Sequence, residues 1–229
     1  MKDKLSIIKI GGNVVNSPTE MDLFLKDFAA LEGYKILVHG GGKIASEVSA
    51  SMGLEPKMTG GRRITDEQTL DVVTMVYAGL LNKKIVSKLQ GFDCNAIGLS
   101  GADGNSIRAH KRVVKDLDYG FAGDVDAVSS GMIESLLRSR LSPVFCAITH
   151  DKQGQLLNTN ADTIASELAK GLTETFEVEL LYCFEKDGVL EDVEKKDSVV
   201  EHLDARNYEP MKANGQIAEG MLPKLKTCF

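Results

Sequence analysis

Lys35-Ile36-Leu37-Val38-His39-Gly40-Gly41-Gly42 is the stretch whose reading decides the fold. Its apolar core shows no polar alternation, which describes a strand buried on both faces. It runs straight into three glycines, and a helical pattern follows from Lys43 to Met52. Glycine carries no Cβ, so backbone N–H groups there can come close to a ligand. The helix behind it aims its positive N-terminal dipole at the same point. The pattern recurs near the N-terminus, where the apolar run Leu5 to Ile10 closes as Ile8-Lys9-Ile10-Gly11-Gly12. Two buried strands that each end in glycines outline one anion-cradling cleft. Lys9 interrupts its strand, and a lysine there must either snorkel out or meet an anion.

Working outward, Ser17-Pro18-Thr19-Glu20 is a capping box with proline at the first helical position, followed by a helical period that Gly33 ends. Strand, helix, strand, helix with short connections predicts a parallel sheet with right-handed crossovers. Met58 to Thr65 reads as a glycine-containing hairpin or loop, and Thr65 with Gln68 as the cap of a long helix reaching Gln90. Cys94 to Leu99 is the next buried strand. Ile107–Ala109, Arg112–Val114 and Tyr119–Val125 read as antiparallel strands, Ser130 to Arg138 as a helix and Pro143 to Thr149 as one strand. Asn158-Thr159-Asn160-Ala161-Asp162 precedes a helix to about Lys170. Phe176 to Phe184 is a strand, the acidic stretch Glu191 to Asp197 a solvated loop, and Tyr208 to Phe229 holds a final amphipathic helix. A boundary falls near Leu172, giving lobes 1–171 and 172–229.

The 229 residues, 43% hydrophobic, can bury a sizeable core. A net charge of −6 leaves no basic stripe for nucleic acid. No apolar run approaches the ~18 residues of a membrane span, and the first strand is too short for a signal-peptide core. Cys94, Cys146, Cys183 and Cys228 form no C-x-x-C pair, three of them lie in apolar runs and read as buried free thiols, and the four histidines show no ligand spacing. A reduced, cytoplasmic, soluble protein without a protein-built metal cage is expected.

Each candidate also has a plainer reading. Gly11-Gly12 can be a tight turn, His39 a satisfied structural histidine, Asn158 to Asp162 an Asx-turn with an N-cap, and Arg62 and Arg63 solvated charges. Gly40-Gly41-Gly42-Lys43 lacks the hydroxyl residue and upstream glycine of a Walker A loop, and the G-x-G-x-x-G spacing is absent too. His-Gly-Gly-Gly also forms the oxyanion loop of lipases. That rival would use Ser100 in Gly98-Leu99-Ser100-Gly101-Ala102 with Asp162 and His202, but the residues after Ser100 read as loop where an elbow needs a helix.

Five motifs in order carry a resemblance: Ile8-Lys9-Ile10-Gly11-Gly12, Val38-His39-Gly40-Gly41-Gly42, Gly61-Arg62-Arg63-Ile64-Thr65, Asn158-Thr159-Asn160-Ala161-Asp162 and Gly220-Met221-Leu222-Pro223-Lys224. Together they resemble the amino acid kinase family, and within it the N-acetyl-L-glutamate kinase branch. The resemblance implies an α/β fold, a three-layer αβα sandwich on an open, mainly parallel sheet. It implies that lobe 1–171 binds the acyl-glutamate and carries homodimerisation, and that lobe 172–229 binds ATP. Lys9 and Lys224 match the lysines that neutralise the phosphoryl group in flight, and Asp162 the carboxylate that orients both. Gly11 and Gly12 match phosphate-binding donors, and Gly41 and Gly42 donors around the substrate. Arg63 matches the clamp on the α-carboxylate, with Asn158 assisting.

The implied reaction is transfer of the ATP γ-phosphoryl to the side-chain carboxylate of N-acetyl-L-glutamate, the second step of arginine biosynthesis, with Mg²⁺ held mainly by the nucleotide phosphates. Two other readings stay open. Arg62 beside the clamp would suit N-succinyl-L-glutamate, although neighbours on an extended strand face opposite ways, which would leave Arg62 in solvent. A non-catalytic nucleotide or amino-acid sensor is the other. The branch usually has an aspartate where this chain has Phe184-Glu185-Lys186-Asp187-Gly188. The family also continues through a further helix and strand, whereas this sequence stops five residues after Lys224, so a shortened second lobe is expected.

Overall fold

The two apolar runs that end in glycines lie side by side as parallel strands. Strand β1 (Asp3–Ile10) pairs with β2 (Tyr34–His39) from Leu5↔Tyr34 to Ile10↔His39, so both glycine segments leave the sheet at the same level. The computed structural model describes residues 2–115, 117–184, 188–190, 195, 198–214, 217 and 225, without the side chains of residues 13 and 205. The chain divides into the units Met1–Cys183 and Phe184–Phe229.

In the first unit, helices α1 (Gly12–Asn16) and α2 (Pro18–Ala30) join β1 to β2. The Ser17 side chain accepts from the Glu20 N–H, and Met21, Leu25 and Phe28 form the buried stripe at helical spacing. Lys35 at the start of β2 donates to Ala29 O and Leu31 O, both at 2.7 Å, which satisfies the carbonyls at the end of α2. Helix α3 (Gly42–Ser51) follows the glycine triplet. Strands β3 (Met58–Thr59) and β4 (Arg62–Arg63) form a hairpin around Gly60 and Gly61, both left-handed at φ +55° and +73°. Helix α4 (Glu67–Thr74), a π-helical segment (Met75–Leu81) and α5 (Asn82–Gly91) run on as one element into β5 (Ala96–Leu99).

Strands β6 (Ile107–Lys111) and β7 (Ala122–Val128) come next, then α6 (Ser130–Arg138) and β8 (Ser142–Phe145). Strands β9 (Ile148–His150) and β10 (Leu156–Thr159), helix α7 (Ala161–Leu172) and β11 (Phe176–Cys183) complete the unit. The main sheet has the order β11-β1-β2-β8-β5, with every pairing parallel. Helices α6 and α7 pack against one another and onto β8, β1, β2 and β11, while α5 packs onto β5 and β8 with α2 against it. The three-layer αβα arrangement on a parallel sheet is therefore as expected. Strands β10-β7-β6-β9 close into a small barrel beside it. Cys94 and Cys146 are buried free thiols and Cys183 is a half-buried one; Cys228 lies outside the described residues.

The second unit has its own small apolar centre of Tyr208, Ile217 and Leu225. Its helix α8 (Ala205–Ala213) starts in a capping box of Asp204 and Asn207.

Local structure departs from expectation in four places. Asp66, not Thr65, caps α4, since its carboxylate accepts from the Thr69 N–H at 2.8 Å while Thr65 is fully buried. Arg112–Val114 lies outside any strand. Residues 119–121 do too, although Thr65 bridges Gly120 and the Phe121 N–H donates to Thr65 O. The run Pro143 to Thr149 breaks at Cys146-Ala147, because its first half belongs to the main sheet and its second to the barrel. Strand β11 pairs with β1 along its whole length, from Asp3↔Phe176 to Ile10↔Cys183.

Gly120 joins the barrel to the loop below Arg63. It is left-handed at φ +65°, and an added Cβ would stand 2.0 Å from Thr65 O. Gly120→Ala is expected to lower the urea unfolding free energy by at least ~2 kcal/mol. Gly131→Ala, where the added Cβ meets nothing within 4 Å in α6, should raise it by a few tenths. Similar effects from the two would contradict this account of the 120 loop.

Candidate active site

A cavity of about 230 Å³ opens where β1 and β2 end, the position that parallel sheets reserve for ligands. Lys9 and Asp162 line it and meet at 2.6 Å, with side chains only 9% and 11% exposed. Lysine in a buried strand is thus explained by a partner. Asp162 sits in the first turn of α7, whose cap is Asn160: its side-chain oxygen accepts from the Asp162 and Thr163 N–H groups at 2.8 and 3.1 Å. The Asx-cap reading of this motif and its placement in the cleft hold together.

Arg63 enters from β4. Its Nη2 donates to Gly42 O and Ser46 Oγ, both at 2.8 Å, which fixes one end of the guanidinium. Its Nε and Nη1 are buried and, among the described residues, have no hydrogen-bond partner. Leaving a buried donor unmade costs ~1–3 kcal/mol, so this fork has room for a further acceptor. Tyr77 lines the same wall. Burial raises its hydroxyl pKa, and the Arg63 charge beside it works in the opposite direction.

The motif bearing Arg63 is tied to the motif bearing Asp162. Asn158 Nδ2 donates to Thr65 Oγ1 at 3.0 Å, and Thr65 Oγ1 donates to Arg63 O at 3.1 Å. Arg62 does not follow the expectation that it faces solvent. Strand β4 is two residues long and follows a two-glycine turn, so the alternation of an extended strand does not govern it. Arg62 lines the cavity with Arg63, and its side chain makes no hydrogen bond or ion pair with the other described residues.

The glycines divide. The Gly11 N–H donates to Cys183 O at 3.0 Å, extending the ladder with β11, so it is not open to a ligand. Gly12, Gly41 and Gly42 line the cavity, and Gly12 and Gly42 begin helices whose first N–H groups have no intrahelical partner. At Gly41 an added Cβ would stand 2.3 Å from Leu81 Cδ1 and 3.0 Å from Tyr77 Cδ1. Lys224 and the motif Gly220 to Lys224 lie outside the described residues, as do residues 185–187. The lipase-type alternative finds no elbow: Ser100 donates to Asp103 Oδ2 at 2.7 Å and leads into a turn and a short 3₁₀ segment. Ser46 and Tyr77 were not singled out from sequence. Ser46 stands four residues after Gly42, on the helix face that meets the cavity, which was the available signal.

His39 is fully buried, and burial lowers its pKa to about 4 from 6.5. Between those values the unfolded chain binds the extra proton, so stability falls as pH drops from 6.5 to 4 and is complete above 6.5. The shift corresponds to about 3 kcal/mol. Urea titrations of the wild type and of His39→Asn across that range check it: the variant should lack this part of the slope.

The amino acid kinase family matches residues 4–229. An acetylglutamate kinase of Phocaeicola vulgatus is 53% identical over all of this chain and 89% of its own length. One from Cytophaga hutchinsonii is 54% identical over 99% of this chain and 86% of its own. Among solved structures, smu.665 from Streptococcus mutans superposes with a TM-score of 0.81 at 24% identity, covering 97% of this chain and 88% of its own. An isopentenyl phosphate kinase superposes with a TM-score of 0.61 at 16% identity, over 97% and 85%. Both structures share the fold. The chain belongs to the amino acid kinase family.

Proposed function

We propose that this protein is a kinase that transfers the γ-phosphoryl of ATP to the side-chain carboxylate of N-acetyl-L-glutamate, the second step of arginine biosynthesis. The observation that carries the reading is Arg63, which lines the cavity with Lys9 and Asp162, held at Nη2 and with its other two nitrogens buried and without a partner among the described residues. A planar fork of donors suits a carboxylate. Arg63 is assigned to the substrate α-carboxylate, with Asn158 assisting.

The acceptor carboxylate is already ionised at neutral pH, so no general base is required. Its oxygen attacks the γ-phosphorus, the bond to the bridging oxygen of ADP breaks, and an acyl phosphate results. Lys9 neutralises charge on the transferring group, Asp162 orients Lys9, and the Gly12, Gly41 and Gly42 amides supply further donors. Positioning and charge stabilisation of this kind carry most of phosphoryl-transfer catalysis. Lys224 is proposed as the second lysine by its match to the family motif. Among the described residues Asp162 is the one carboxylate lining the cavity, and Lys9 engages it. Mg²⁺ is therefore assigned mainly to the nucleotide phosphates, where it would supply further charge neutralisation. Acyl-glutamate binding and homodimerisation are assigned to 1–171 and ATP binding to 172–229. No helix among the described residues is long and apolar enough to cross a membrane, and a cytoplasmic location is proposed.

Arg62 favours a second reading. It is half-buried in the same cavity without a paired anion; burial first, and then the charge of Arg112, lower its pKa. An acyl group that ends in another carboxylate, as in N-succinyl-L-glutamate, would answer it.

A hydroxylamine-trapping assay with ATP and N-acetyl-L-glutamate should show turnover; binding of both without turnover would indicate a sensor instead. Lys9→Met is expected to lower kcat roughly 10²–10³-fold, as for a lost oxyanion donor. Arg63→Ala should act mainly on KM, because the α-carboxylate is bound alike in ground and transition states. Near-normal kcat in the Lys9 variant would refute the assignment of the cleft. The second reading expects kcat/KM for the succinyl substrate to exceed that for the acetyl one and Arg62→Ala to erase the difference. A strong acetyl preference removes Arg62 from the argument.

A further inference from the structure

His39 and Asn82 are not among the residues that line the site cavity, yet their hydrogen bonds reach one peptide of the glycine triplet. Asn82 is buried, and its Nδ2 donates to Val144 O at 2.9 Å. A carbonyl accepts only, so the Asn82 amide cannot be turned over there. The same Nδ2 lies 3.2 Å from His39 Nε2, which must therefore be the bare, accepting nitrogen. The proton sits on Nδ1, which donates to Gly40 O at 2.8 Å. That oxygen belongs to the peptide joining Gly40 to Gly41. In a planar trans peptide the N–H points opposite to the C=O. Drawing Gly40 O back toward His39 turns the Gly41 N–H away from it. Lys83 fixes the far side of Asn82, donating to its Oδ1 and to Gly98 O, both at 3.2 Å.

We propose that Asn82 and His39 are positioning residues of the phosphoryl-transfer site, locking the Gly40–Gly41 peptide so that the Gly41 amide is offered to the cleft. This inference rests on the kinase reading. A peptide flanked by glycines rotates readily, so without the lock the donor spends much of its time facing away. The π-helical segment just before Asn82 serves the same end, since it sets Leu81 and Tyr77 against Gly41.

The test uses the full chain, ATP and N-acetyl-L-glutamate, and three variants. Asn82→Leu removes the donor to Nε2. His39→Gln places its amide near the Nε2 position, whereas His39→Asn places one near Nδ1 and can still donate to Gly40 O. Asn82→Leu and His39→Gln are expected to lower kcat ~10²-fold with KM for the acyl-glutamate within about threefold, as for a lost oxyanion donor. His39→Asn should keep kcat within about tenfold of wild type. Imidazole ¹⁵N shifts of the wild type should show His39 protonated at Nδ1 and bare at Nε2, a readout that needs no variant to fold. A proton on Nε2 overturns the inference, and so do folded variants that keep kcat or whose kcat losses do not separate His39→Gln from His39→Asn. A wild type with no turnover sinks the kinase reading and this inference with it. Turnover that the variants leave unchanged sinks the inference alone.

Discussion

Lys9 reaches Asp162 across 2.6 Å in a place where both side chains have lost most of their water. Desolvating two charges costs several kcal/mol per ion, and the attraction repays it only if the geometry is held well. The surroundings supply that holding. Lys9 lies opposite Tyr182 on one side and Val38 on the other, so its backbone is fixed by two parallel ladders. Asp162 is fixed by the Asn160 cap, and the Tyr182 hydroxyl donates to its backbone oxygen at 3.2 Å. The pair couples the centre of the sheet to the first turn of α7, and the cavity forms around that coupling.

Arg63 solves a complementary problem. Its guanidinium is desolvated and half-tethered before any ligand arrives, so the cost of ordering it falls on folding and not on binding. The tether is shared with the glycine loop through Gly42 O and with α3 through Ser46. Thr65 and Asn158 then connect the Arg63 hairpin to the strand that leads into α7. The Arg63 hairpin and the charge pair are thus mechanically one body, although they come from parts of the sequence almost a hundred residues apart.

Much of this was legible from sequence because the pertinent residues break local rules. A lysine within a buried strand, three successive glycines and an Asx motif ahead of a helix each demand a cause. The parallel sheet followed from apolar runs without alternation. What stayed hidden depended on tertiary partners. The break at Cys146-Ala147 has no turn residues to mark it, since the chain simply changes sheets while remaining buried. The ladder bond that occupies the Gly11 amide exists only because β11 returns to β1. Arg62 defied the pleat because its strand is too short to have one. The cap moved from Thr65 to Asp66 because Thr65 is occupied with Arg63 and Asn158.

The glycine triplet shows why a site of this kind recruits residues that never meet a ligand. Side chains within the loop would stiffen it, but at Gly41 a Cβ would collide with Leu81 at 2.3 Å. Stiffness must therefore come from outside. Leu81, Tyr77 and Asn82 come from one continuous helical element, and its π-helical turns change the stagger of side chains along its face. Asn82 in turn needs the absence of a side chain at Gly98, where an added Cβ would stand 1.9 Å from its Oδ1. One permissive glycine in the loop thus requires a second glycine two elements away, and the order of the loop is a property of the packed layer behind it.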